Sequence, residues 1–171
     1  IAGLATGIAV VLIIGLWIQD ELNFNKYYPT YDRFAQMYIN QKGNDGKIYT
    51  GKAMSIPAVK QVQDNFKEDF EMVSLRSWNY QHLLEYEDFR LIKDGMHIEA
   101  VFPEMLGLKF IHGDRKTSLE NPYSIILNET LAKALFGDEN PIGKILRFDT
   151  THDMEVTGVF EDFPHNTSFR N

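Results

Sequence analysis

NPYSIILNETLAKALFGDENPIG, residues 121–143, writes a strand, a helix and a stop in one unbroken run. Ile125, Ile126 and Leu127 form an apolar run of the length and composition of a buried strand. Asn128 follows, a residue whose side-chain oxygen can accept from the free N–H groups of a first helical turn. Leu131, Ala132, Leu135 and Phe136 then recur at three- and four-residue spacing, which gathers them on one face of a helix. Gly137 ends that helix where a left-handed backbone is expected, and Pro141 and Gly143 supply a turn behind it.

Working outward, KILRFDT (144–150) and MEVTGVFEDF (154–163) read as two further strands, with Gly158 as a candidate bulge. Upstream, FEMVSLRSW (70–78), HLLEYED (82–88), FRLIKDG (89–95) and MHIEAVF (96–102) alternate apolar and polar residues between Asp and Gly signals, as antiparallel strands do. Pro103 and Gly107 bracket a short helical turn, and an extended stretch leads on to Gly113 and Asp114. Ser55 is placed to cap a helix whose apolar positions are Ile56, Val59, Val62 and Phe66, and which is expected to lie on a sheet. Before it, alternation at Phe34, Gln36, Tyr38 and Asn40 predicts a strand, and Asn44, Asp45 and Gly46 predict its turn. The fold class is therefore α+β with a mixed or antiparallel sheet.

The opening residues obey a different rule. IAGLATGIAVVLIIGLWI (1–18) contains one polar side chain, Thr6, and nothing ionisable occurs before Asp20. A bilayer core is spanned by roughly 20 apolar residues, with about 17 as the lower end. Trp17 stands where an interfacial aromatic is expected, and Gln19, Asp20 and Glu21 mark the exit into water. A cleaved signal peptide would show a basic leader and a small-residue cleavage site, and a buried core helix would carry a polar stripe. Residues 1–19 thus read as a transmembrane helix and 20–171 as the folded domain. The first residue is Ile, so the chain is expected to begin inside a longer gene product.

Composition excludes several activities. With 24 acidic against 17 basic residues and a net charge of −7, the chain lacks the electrostatic footprint of a nucleic-acid binder. Without cysteine there are no disulfides, thiolate metal sites or cysteine nucleophiles. GDENPIGK (137–144) superficially resembles a phosphate-binding loop, but five residues separate its glycines, Ile145 stands where a hydroxyl should hold magnesium, and it follows a helix instead of opening one. His82, His97, His112, His152 and His165 show no close metal-ligand spacing. Glu85, Glu87 and Asp88 read as a solvated turn that discourages strand pairing, and Ser55 and Ser124 lack a nucleophile's context. Phe24, Tyr27, Tyr28, Tyr31 and Phe34, just past the membrane exit, are either a partner surface or, the reading preferred here, rings that pack the root of the domain.

Four segments in order, an apolar helix running into QDELNFNKYYPTYDRFAQMY (19–38), VFPEMLGLKFIHGD (101–114), SIILNETLAKALFGDENPIGKIL (124–146) and EVTGVFEDFPHNTSF (155–169), resemble the MacB-like periplasmic domain of FtsX-type ABC transporter permeases, the N-terminal part in its Bacteroidetes form. The resemblance implies a non-enzymatic permease fragment at the bacterial inner membrane with its main domain in the periplasm, two-lobed and incomplete at its C-terminal end. It implies no cofactor in this chain, since ATP is bound by a separate nucleotide-binding subunit or domain. The implied partners are a cytoplasmic ABC ATPase, a second permease copy forming a dimer, membrane lipid, and a periplasmic adaptor or outer-membrane component. The function expected from it is mechanical coupling of ATP hydrolysis to export or release. QDEL (19–22) and NFNKYY (23–28) would form the joint, with Asp20, Glu21, Phe24 and Tyr27 in it and Trp17 at the interface before it, while Asn128, Leu131, Phe136, Gly137, Pro141 and Gly143 would be structural. The alternative from another class is a single-span, membrane-anchored extracytoplasmic binding or sensor module.

Overall fold

A computed structural model describes residues 2–169 of the chain. Ile1, where the expected span starts, and 170–171, where the expected domain ends, lie outside the described residues. The chain opens with helix α1 (Ala2–Leu22), whose side chains from Gly3 to Gln19 are all exposed. Residues Gly3–Leu22 are long and apolar enough to cross a membrane. At 1.5 Å per residue the 21 residues of α1 extend about 31 Å, close to the roughly 30 Å of a bilayer core. The helix runs three residues past the expected boundary at position 19, because Glu21 and Leu22 are good helix formers and neither Gly nor Pro interrupts 19–22.

A small hairpin follows, β1 (Ile39–Lys42) paired antiparallel with β2 (Ile48–Gly51), its turn made by Gly46 at φ +79°. The expected strand from Phe34 begins only at Ile39. Helix α2 (Ile56–Asn65) comes next. Ser55 occupies its N-cap backbone position, but its side chain makes no capping hydrogen bond. Pro57 in the first turn has removed one of the N–H groups such a cap would serve. Neither core cluster contains a residue of α2, so the expectation that it lies on a sheet is not met.

The main sheet has six strands: β3 (Tyr80–Tyr86), β4 (Phe89–Gly95), β5 (Phe110–Gly113), β6 (Ser124–Asn128), β7 (Ile145–Phe148) and β8 (His152–Phe160). β4 pairs β3, β3 pairs β7, and β7 pairs β8, all antiparallel. β8 is the hub, pairing also with β5 antiparallel and with β6 parallel. The register against β6 passes from Ile125↔Val156 to Ile126↔Gly158, so Thr157 is the extra residue and the expected bulge sits one position earlier than Gly158. Gly158 is required for another reason: a Cβ there would collide with the Phe110 ring and press on Ile126.

Two expected strands, 70–78 and 96–102, reduce to a single bridge between Arg76 and Ile98. Side chains occupy the backbone groups a ladder would need. Leu75 N–H donates to the Glu99 carboxylate at 2.8 Å, and His97 N–H donates to Ser77 Oγ at 2.9 Å. The short helix α3 (Phe102–Leu106) then ends at Gly107, which is left-handed at φ +63°, ψ +39°.

Helix α4 (Glu129–Phe136) is capped as expected, with Leu131 N–H donating to Asn128 Oδ1 at 3.2 Å. Gly137 keeps a positive φ of 62°, but its ψ of −128° is not left-handed helical. The chain swings away there in a conformation that only glycine adopts freely. Two apolar clusters result. One lies between α4 and the sheet, with Leu135, Phe136, Leu146 and Val156 buried. The other gathers Tyr28, Phe102, Leu106, Leu108, Phe160 and Phe169.

Candidate functional site

The joint between α1 and the folded body is built from two segments far apart in sequence. After Leu22 the chain turns through residues 23–33, with Asn25 at φ +62°. Asn and Asp tolerate that conformation better than other side-chain-bearing residues, because they can bond locally. Here Asn25 bonds across the molecule instead. Its N–H donates to the Asn166 carbonyl at 2.9 Å, its Nδ2 donates to Ser168 Oγ at 2.8 Å, and its Oδ1 accepts from Ser168 N–H at 2.8 Å. One residue just past α1 is thus tied three times to the segment after β8.

Tyr27 and Tyr28 complete the clamp with their rings. Tyr28 is buried, edge-on to Phe163 at 6.0 Å and to Phe169 at 5.7 Å between centroids. Such edge-to-face pairs contribute about 0.5–1.5 kcal/mol beyond their area. Tyr27 packs edge-on against Phe163 and donates to Glu161 Oε2 at 3.4 Å. Partial burial, reinforced by the Glu161 carboxylate, pushes the Tyr27 phenol up to about 12, so it remains a donor. Lys109 lies 5.3 Å over the Tyr27 ring and 3.5 Å from Glu161. Thr30 Oγ1 adds a bond to the Met105 carbonyl at 2.9 Å. Nearer the helix, Asp20 Oδ1 meets His165 Nε2 at 3.1 Å, an exposed pair of small energetic weight.

The joint residues named from the sequence divide. Asp20 and Tyr27 are in the clamp. Trp17 is exposed on α1, Glu21 is exposed and gives its carbonyl to Phe24 N–H, and Phe24 is itself exposed. Of the five aromatics, Tyr27, Tyr28 and Phe34 pack the root of the domain, whereas Phe24 and Tyr31 remain exposed. Asn128, Leu131 and Phe136 belong to α4 and its cluster, Pro141 is buried, and Gly143 at φ +82° bonds through its N–H to Val156 O at 2.8 Å. These six do not join the clamp; the two groups are linked through the loop beyond β8, where Thr130 N–H donates to Asp162. Asn25 lies within the expected joint segment and His165 among the histidines weighed as metal ligands, but none of Glu161, Phe163, Ser168 and Phe169 is marked by the sequence as part of a joint. Their segment stood among those carrying the resemblance, but nothing in its composition names a partner at position 25.

A second polar feature is His82, buried on β3 with its Nδ1 2.7 Å from Asp149 Oδ2. Asp149 Oδ1 also accepts from Leu83 N–H at 2.9 Å. The turn this carboxylate anchors holds Asp149 and Thr150 at φ +48° and +61°, an unfavourable backbone for residues with side chains. The His82 hydrogen bond holds the Asp149 carboxyl below its usual range. A carboxylate whose folded pKa is depressed adds stability above its unfolded pKa and loses it as pH falls through the folded one. Stability is therefore expected to fall as pH drops below the ordinary aspartate range of about 4. Denaturant titrations at stepped pH should show this component in the natural chain and not in Asp149→Asn. No group of three or more metal-ligating side chains occurs among the described residues.

Residues 1–171 match the profile of the MacB-like periplasmic core domain. Among solved structures, the chain resembles a domain of a putative permease protein from Porphyromonas gingivalis, at 26% identity and a TM-score of 0.49 over 63% of this chain and 52% of that one. It also resembles the periplasmic region of MacB from Actinobacillus actinomycetemcomitans, at 20% identity and a TM-score of 0.50 over 61% and 50%. The latter likeness concerns the fold. The matched region spans about half the length of these solved chains. No curated protein matches the chain.

Proposed function

The chain belongs to the MacB-like periplasmic core domain family, and from that premise we propose that it is the part of an ABC transporter permease that carries the effect of cytoplasmic ATP hydrolysis across the inner membrane, to export or release a substrate on the far side. The observation that supports this most is the clamp: an apolar helix continues unbroken to Leu22 and, three residues later, is tied through Asn25 to the segment that follows β8. A displacement of α1 is then felt at β8, to which β5, β6 and β7 pair and β3 and β4 connect through β7. Coupling of this kind needs a stiff element whose position biases two arrangements of the body. ATP belongs to a separate cytoplasmic ABC ATPase in this reading, and the chain itself has no catalytic role. A second permease copy, membrane lipid and a periplasmic adaptor or outer-membrane component are the further partners proposed.

Because the chain has no cysteine, single cysteines report topology without background. Leu4→Cys and Ile13→Cys are expected to resist a membrane-impermeant maleimide in intact spheroplasts, while Ile48→Cys on the hairpin reacts. Reaction at Leu4, or protection of Ile48 until the inner membrane is lysed, would overturn the membrane and periplasmic placement. Coupling has its own test. In the assembled transporter, Asn25→Ala removes two side-chain hydrogen bonds, each contributing about 1 kcal/mol. It is expected to leave ATP hydrolysis running while export falls. Export undiminished in a correctly inserted Asn25→Ala protein would sink the coupling role and favour an anchored binding module instead.

A further inference from the structure

Between β3, β6, β8 and the 96–108 segment the packing leaves a cavity of about 240 Å³. Buried apolar side chains line it, Leu84, Phe102, Leu108 and Phe160 among them, and so do the exposed Lys93, Asp94 and His97. An engineered cavity of about 150 Å³ with Leu, Ile and Phe walls takes up benzene. This one is larger and differs in one respect.

His82 lines it, 9% exposed, with Phe148 tilted over the imidazole at a centroid separation of 4.6 Å. Nδ1 faces the Asp149 carboxylate, which also accepts from the backbone and offers no proton of its own. Nδ1 therefore carries the hydrogen, and in the neutral ring Nε2 is left as an acceptor. That Nε2 is buried and has no hydrogen-bond partner among the described residues. Buried polar atoms are nearly always paired, so an unpartnered acceptor on a residue that lines an apolar cavity calls for a donor.

The geometry points to this cavity as a binding site for a small, largely apolar molecule bearing one hydroxyl donor, its body among the Leu and Phe side chains and its hydroxyl on His82 Nε2. The site is independent of any role in transport. Phenol is the simplest probe, and toluene is its near-isostere without the donor. The full chain is reconstituted in lipid nanodiscs with nitrogen-15 histidine, and both compounds are titrated while the imidazole resonances are followed. Phenol is expected to bind saturably and move the His82 Nε2 resonance while leaving His112, His152 and His165 in place. Toluene is expected to bind roughly tenfold or more weakly, the discrimination that about 1.4 kcal/mol of hydrogen bonding gives. His82→Phe should abolish the preference. Failure of phenol to saturate, equal affinity for the two compounds, or a preference that survives in His82→Phe would each overturn the assignment. The wild-type comparison decides the matter even if the variant does not fold.

Discussion

Tyr28→Ala is expected to lower the unfolding free energy by about 3–5 kcal/mol, the range for deleting a buried aromatic. The ring is 2% exposed and edge-on to Phe163, Phe169 and Tyr27, so its removal opens a void that three other rings cannot close without leaving their own contacts. Guanidinium titration of the full chain in nanodiscs measures it. Tyr28→Phe keeps the ring and is expected to lose much less. A loss under about 1 kcal/mol for the alanine variant would mean that the second cluster is not a cohesive core, and that the joint rests on its polar contacts, those of Asn25 among them. Because the ring joins the segment after α1 to the segment after β8, the same variant should also expose the joint to protease, as local unfolding of a cooperative unit predicts.

The second large effect is expected at Gly113, on the end of β5. Its φ is +81°, and a Cβ there would overlap the Thr157 carbonyl oxygen. Gly113→Ala therefore meets two penalties at once: the left-handed backbone costs about 1–2 kcal/mol, and the overlap with immovable backbone adds about 1–3 kcal/mol. Gly46→Ala separates them. Gly46 has a nearly equal φ of +79°, but a Cβ there meets nothing within 4 Å. It should show the backbone penalty alone. Equal shifts in the two denaturation midpoints would refute the claim that β5 and the bulge of β8 fit only without a Cβ.

The pair of glycines illustrates why some of the fold was legible in the sequence and some was not. Gly46 sits in an Asn-Asp-Gly run, so its turn is written locally. Gly113 and Gly158 are required because Thr157 and Phe110 come close in space, which no neighbouring residue announces. Strand β6, the Asn128 cap and helix α4 were readable for the same local reason: strand, cap and apolar face lie within thirteen residues, 124–136, and the hydrogen bond from Leu131 spans three. The expected strands at 70–78 and 96–102 failed because Ser77 and Glu99, distant in sequence, bonded the backbone of each other's segment. Ser55 failed as a side-chain cap because Pro57 had taken away a donor, which the sequence did record and periodicity alone overlooked.

By itself the sequence determined the apolar span, the α+β class and the helix that covers one face of the sheet. Each depends on residues within a few positions of one another, where hydropathy and backbone preference act directly. Only the tertiary structure decided that Asn25 is held by Ser168 and Asn166, that Phe163 and Phe169 close over Tyr28, and that His82 meets Asp149 beside an apolar cavity. Those contacts join residues 67 to 143 positions apart. Their geometry is fixed by the pairing register of β8 and the turns around it, which follows from packing the whole chain at once.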